Sequence, residues 1–136
     1  KSNHNNIYGV DISSQMLKLA KNKNIYQELY CQDIISYLSQ KQTSFDFIIA
    51  ADVFCYFSDL EAIIKHCYPT PICFSIEVSE DIKNYQITPN GRYKHSSSYI
   101  KQLLNKYNYN YVEEHPLFLR NENDQPVEGI IFVARP

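Results

Sequence analysis

The chain has 136 residues, 44% hydrophobic and 21% charged, enough for one domain with a core and too apolar for disorder. Thirteen basic against 15 acidic residues leave a formal net charge of −2 with no basic run, so the field of a nucleic-acid binder is missing, and no apolar stretch approaches the roughly 20 residues that cross a bilayer. Three glycines, Gly9, Gly91 and Gly129, are too far apart to share a loop, which excludes a complete dinucleotide fingerprint or phosphate loop within the sequence.

Lys1 to Asn6 is polar with no apolar run behind it, unlike a signal peptide. The first residue is not methionine, so a trimmed, processed or fragmentary chain is expected. Ile7 to Asp11 reads as a short buried strand ending in a carboxylate, with Ser13 and Ser14 placed to cap a helix carrying Met16, Leu17 and Ala20. A second apolar run, Ile25 to Cys31, precedes Asp33 and a short amphipathic helix with Ile34, Ile35 and Leu38. Phe45 to Phe54 is continuously apolar at its centre, as strands buried on both faces of a parallel sheet are, and the strand is expected to end at Asp52.

Ser58-x-x-Glu61 predicts a capping box for a helix with Leu60, Ile63 and Ile64, and Pro69 to Pro71 ends it. Ile72 to Val78 is the next strand, with Glu77 near its end. Ser79 to His95, without clear periodicity and with the turn signal Pro89-Asn90-Gly91, is expected to be a loop. Ser96 to Ser98 caps a helix with Ile100, Leu103, Leu104 and Tyr107 on one face. Tyr109 to Leu119 and Glu128 to Ala134, separated by Asn121 to Pro126, read as an antiparallel hairpin. Cys55 and Cys73 sit in apolar runs and are expected in the core of a reduced, cytoplasmic protein, and scattered cysteines and histidines predict no metal site.

This order defines an α/β class: a Rossmann-like, open, mostly parallel sheet closed by a C-terminal antiparallel hairpin, in a single domain spanning 1–136. In such sheets ligands bind beyond the carboxyl ends of the strands. Four successive strands finish in or near an acid, at Asp11, Asp33, Asp52 and Glu77. A carboxylate at the tip of the first suits the hydroxyls of a ribose; Asp33 can accept from an adenine amine while the Ile34 N–H reaches a ring nitrogen, or it can simply cap the helix behind it.

Gly9-Val10-Asp11-Ile12-Ser13-Ser14-Gln15-Met16-Leu17 with Ala20, then Asp33, then Phe45 to Phe54, resemble the second, third and fourth strand motifs of class I S-adenosylmethionine-dependent methyltransferases, and the C-terminal hairpin is similar to that family's last two strands. Phe74 to Glu77, Gly91-Arg92-Tyr93-x-His95-Ser96-x-x-Tyr99, Arg120-x-Glu122 and Pro126-Val127-x-Gly129 resemble more narrowly the methyltransferases that follow tetratricopeptide repeats, which implies such a partner domain upstream by analogy. The resemblance implies S-adenosylmethionine as cofactor, with Asp11 and neighbouring Ile12 at the ribose, Asp33 and Ile34 at the adenine, and Ala51 with Asp52 lining the donor side. It also implies a first strand and a GxGxG loop ahead of Ile7, where only Lys1 to Asn6 stand, so the sheet is expected to lack its first strand.

Transfer from a sulfonium is an in-line displacement that asks mainly for positioning. Where the acceptor must lose a proton, Glu77 and His95 are the candidate bases, with Tyr93 and Arg92 orienting a carboxylate or phenol; the alternative for Gly91 to Ser96 is a turn plus helix cap. Tyr56 either covers bound adenosine or packs under the helix after it. A small-molecule acceptor is expected, with neither membrane nor nucleic acid as partner. The rival reading is a non-catalytic remnant of the same fold acting as a scaffold or binding module.

Overall fold

The computed structural model describes residues 6–40 and 44–136, so the polar opening and His4 lie outside the described residues. The chain divides into two compact units, Lys1–Gln42 and Thr43–Pro136. In the first, β1 (Tyr8–Asp11) and β2 (Glu28–Cys31) pair in parallel, with Asp11 opposite Cys31. They are joined through α1 (Ser14–Lys21), whose N-cap Ser13 accepts the Met16 N–H at 3.3 Å and whose last turn carries Lys18 and Lys21, favourable to the helix dipole. After β2 the chain enters α2 (Ile34–Gln40), which buries Leu38.

The second unit contains a six-stranded sheet: β3 (Ile48–Ala50), β4 (Ile72–Val78), β5 (Tyr85–Ile87), β6 (Tyr93–His95), β7 (Tyr111–Glu122) and β8 (Gln125–Arg135). Its helices are α3 (Glu61–Cys67) and α4 (Ser97–Lys106). β4 is the hub. Its first half pairs in parallel with β3, its last two residues in parallel with β6, and Ile72 to Glu77 run antiparallel to β8. Ile72, Phe74 and Ile76 of β4 are buried, as are Phe132 and Ala134 of β8, Ile63 and Ile64 of α3, and Ile100 and Leu104 of α4. Phe74 stacks on Phe132 at 5.4 Å and meets Phe54 at 4.8 Å. The expected Rossmann-like α/β class is thus present, with parallel pairs between crossovers and an antiparallel hairpin at the C-terminus.

Several local expectations are corrected. The strand expected over Phe45 to Phe54 is only Ile48–Ala50, because Asp52 turns into the left-handed region at φ 55° and Phe54–Tyr56 form a 3-10 turn. Burial on both faces does not hold either: Ile49 is 72% exposed, and among the described residues β3 pairs only with β4. Ser58 makes no capping box. Asp59 Oδ1 accepts the Glu61 N–H at 2.8 Å, and the hydroxyl of Tyr99 both takes the Leu60 N–H at 3.0 Å and donates to Asp59 at 2.8 Å. Residues expected as loop between Ser79 and His95 contain the β5–β6 hairpin, with Gly91 at φ 82° in its turn; three-residue strands are too short to show alternation.

The β7–β8 turn is tighter than Asn121 to Pro126: Asn123 and Asp124 both have positive φ, 48° and 58°, which matches the right-handed twist of the flanking strands. The strand expected from Tyr109 begins only at Tyr111. Tyr107 caps α4, Asn108 turns at φ 62°, and Tyr109 is buried with its hydroxyl donating to the Thr70 carbonyl at 2.8 Å, leaving Tyr111 to open the edge strand β7. Cys55 is buried as expected, whereas Cys73 is half-buried. No helix among the described residues is long and apolar enough to cross a membrane.

Gly129 stands opposite Glu77 and Leu117, where a Cβ would lie 2.4 Å from the Leu119 side chain and 2.6 Å from the Ile76 carbonyl oxygen. A backbone oxygen cannot yield as a side-chain tip can. Gly129→Ala is expected to lower unfolding free energy by about 1–3 kcal/mol, in the range of overpacked cores, seen as a lower urea midpoint. An unchanged midpoint would contradict this packing.

Candidate functional site

In the first unit the parallel register brings two carboxylates to the same end of the pair. Asp11 closes β1, half-buried, and its Oδ1 accepts the Ser13 N–H at 2.7 Å. Asp33 follows β2 by two residues, is exposed, and its Oδ1 accepts the Ser36 N–H at 2.8 Å, so it does cap α2. Each carboxylate commits one oxygen to its own turn and keeps acceptor capacity on the other. Ile34 is the first residue of α2, a position whose N–H has no intrahelical acceptor. Ile12 is exposed beside Asp11, its carbonyl accepting the Cys31 thiol at 3.6 Å.

In the second unit the carboxyl end of β4 carries a charged cluster. Glu77 is 1% exposed, and the Arg120 Nη2 donates to its carboxylate. Arg120 Nη1 donates to Asp52 Oδ1 at 2.9 Å and its Nε lies 3.7 Å from Glu122. Arg92 Nη1 lies 3.5 Å from Asp52 and 3.6 Å from Glu77, while Nη2 donates to the Tyr56 hydroxyl at 3.2 Å and the guanidinium sits 5.3 Å from the Tyr56 ring centroid. Tyr56 is 59% exposed rather than packed under α3. Ala51 is exposed, and the Asp52 N–H donates to Ser75 Oγ at 2.8 Å, which holds the left-handed turn in place. Burial opposes the charge of Arg120, yet its hydrogen bond to Glu77 and the fields of Glu77, Asp52 and Glu122 hold its pKa above the usual value.

Cys55, beside Asp52, has its thiol pushed up to about 11 by burial first and the Asp52 charge second, so it stays protonated and donates to Asp52. Ligand atoms of Asp52, Cys55 and Glu77 lie within 4.8 Å of one another, but the arginine guanidiniums already supply the positive charge there and a neutral thiol is a poor ligand. His95 is fully buried: its Nε2 donates to the Ser58 carbonyl at 3.0 Å and the ring stacks on Tyr99 at 6.1 Å. That corrects its expectation as an accessible base. Tyr93 is half-buried, edge-on to Tyr85 at 6.3 Å. The structure therefore brings Asp52, Tyr56, Glu77 and Arg92 together and leaves Tyr93 and His95 outside their contacts. Arg120, quoted in the sequence only as part of a motif, joins the cluster through a bulge between Phe118 and Arg120 that alternation along β7 does not reveal.

Parallel strands with nucleotide-suited carboxylates at their carboxyl ends describe a cofactor-binding α/β protein. A family model described as a methyltransferase domain matches residues 1–69, just over half the chain, and the chain belongs to that family. Membership makes S-adenosylmethionine the cofactor. Solved structures share the fold: a methyltransferase from Methanosarcina mazei (14% identity, TM-score 0.69, 95% of this chain and 81% of that one), a possible histamine N-methyltransferase from Thermotoga maritima (16%, 0.65, 95% and 72%), and the N-terminal domain of EvdMO1 with SAH bound (14%, 0.70, 98% and 66%). No curated protein matches the chain.

Two measurements probe this geometry. Arg120→Met strips the buried Glu77 carboxylate of its hydrogen-bonding guanidinium and is expected to cost about 3 kcal/mol of stability, with much of it regained in the Arg120→Met, Glu77→Gln double variant; additive losses in the cycle would refute the coupling. Burial, only partly offset by the Ser58 and Phe57 carbonyls and by Glu77, lowers the pKa of His95 below its usual value. The native state then binds fewer protons than the unfolded chain, so this contribution is complete above about pH 6.5 and is lost as pH falls towards the folded value, at most about 1.4 kcal/mol per pH unit for one proton. Urea unfolding between pH 7.5 and 5.5 should show a shallower loss in His95→Gln than in the native chain.

Proposed function

We propose that the chain transfers the methyl group of S-adenosylmethionine to a small-molecule acceptor. The observation that carries this reading is the pair of carboxylates, Asp11 and Asp33, at one end of a parallel strand pair, each with an oxygen free of its own turn. Their chemistry fits an adenosine. Asp11 accepts from ribose hydroxyls, Asp33 from the exocyclic amine, and the Ile34 N–H donates to a ring nitrogen. By the same resemblance Ala51 and Asp52 are assigned to the donor side, and the narrower motif likeness supports a kinship with the methyltransferases associated with tetratricopeptide repeats.

The bound cofactor supplies a methyl group on a positively charged sulfur. What the protein adds is orientation and exclusion of water, because a displacement at an activated methyl gains most from alignment. Glu77 does not fit a base: its carboxylate is closed off and engaged by Arg120. It positions the guanidiniums, and Tyr56, exposed and held by the half-buried Arg92, forms the acceptor-facing side of the cluster.

Calorimetric titration with S-adenosylmethionine tests the reading. Saturable binding is expected, weakened at least tenfold in Asp11→Ala, whose carboxylate is half-exposed and outside the core. No binding, or equal binding by the variant, would favour a scaffold built on the same fold.

A further inference from the structure

Ser75 interrupts the apolar run of β4. Ile72, Phe74 and Ile76 around it are buried, and Ser75 is buried with them, so its hydroxyl is withdrawn from water and needs a partner. Alanine would fill nearly the same space with no polar group to satisfy. The partner comes from the neighbouring strand: β3 leaves the ladder at Ala50, opposite Phe74, and two residues later the Asp52 N–H returns to donate to Ser75 Oγ at 2.8 Å. A serine chosen for its size alone would leave that hydrogen bond unexplained.

The other polar group of the same backbone is held as well. Cys55, also buried, donates its thiol to the Asp52 carbonyl at 3.6 Å. Asp52 is thus tied from the core on both its N–H and its C=O, and it needs to be, because φ 55° is a conformation that glycine enters freely and a residue with a Cβ only at a cost. Glycine there would relieve the strain and remove the carboxylate. The contacts of that carboxylate with Arg120 at 2.9 Å and Arg92 at 3.5 Å involve a side chain 47% exposed, and ion pairs open to water fix a side chain weakly. The firm anchor is the hydroxyl on the hub strand.

We propose that Ser75 is a positioning residue for methyl transfer: its buried hydroxyl locks Asp52 in the left-handed turn before any ligand arrives, so that the Asp52 carboxylate is presented ready-made at the donor side. This rests on the methyltransferase reading for the role of Asp52, but the lock itself does not. Preorganisation is what a reaction governed by alignment needs, since a carboxylate free to swing must be ordered anew each time the cofactor binds.

The test compares the full native chain with Ser75→Ala and Ser75→Thr. Amide exchange followed by NMR without cofactor should show the Asp52 N–H exchanging about tenfold faster in Ser75→Ala and close to the native rate in Ser75→Thr, which keeps the hydroxyl. Calorimetric titration should show S-adenosylmethionine bound about tenfold more weakly by Ser75→Ala and within about threefold of the native affinity by Ser75→Thr. Should Ser75→Ala fail to fold, Ser75→Cys takes its place, because a thiol fills the slot and accepts only weakly. Unchanged cofactor affinity in the variant without the hydroxyl, or an equal loss in Ser75→Thr, overturns the proposal. Absence of binding by the native chain counts against the methyltransferase reading instead, and the exchange rate then decides the lock by itself: no acceleration at Asp52 without the hydroxyl overturns it.

Discussion

One buried carboxylate governs the second unit. Glu77 stands at the carboxyl end of the central strand β4, 1% exposed, where an ionised group is several kcal/mol too costly unless paired and hydrogen-bonded. Its partner must come from another element, and Arg120 reaches it because a bulge in β7 re-aims that side chain. Arg92 approaches from the start of β6. Three strands are thereby tied at the end where an open α/β sheet presents its ligands.

The same requirement shapes the neighbouring turn. Asp52 meets the two guanidiniums only because its backbone adopts φ 55°, a conformation that costs a non-glycine residue energy and is held by the Ser75 hydroxyl. Strain of this kind concentrates at functional sites, and Asp52 is 47% exposed, so the strained residue faces solvent rather than the core. Charge, strain and exposure coincide there. The buried acid and the buried histidine are both committed to structural partners, so under the proposed methyl transfer such a cluster suits positioning better than proton transfer.

The first unit works by a simpler rule. Parallel pairing puts the ends of β1 and β2 side by side, and each strand is followed by a helix whose first turn needs an acceptor. Asp11 and Asp33 each satisfy a backbone N–H with one oxygen. For Asp33, capping and ligand binding are therefore compatible roles.

Long periodic segments were legible: β4, α4 and β8 lie where their apolar residues place them, because burial of a continuous or helical face is a local property of the chain. So were the strand-end acids and the Ser13 and Ser96 caps, which act within three residues of themselves. Contacts between distant residues were not. Leu60 finds its capping oxygen on Tyr99, 39 positions away, and Glu77 finds its cation 43 positions away on Arg120. Sequence by itself determined the class of fold and the carboxylates at its strand ends. Only the tertiary structure decided which charges pair and that His95 is shut inside, because pairing and burial depend on which strands the sheet brings together.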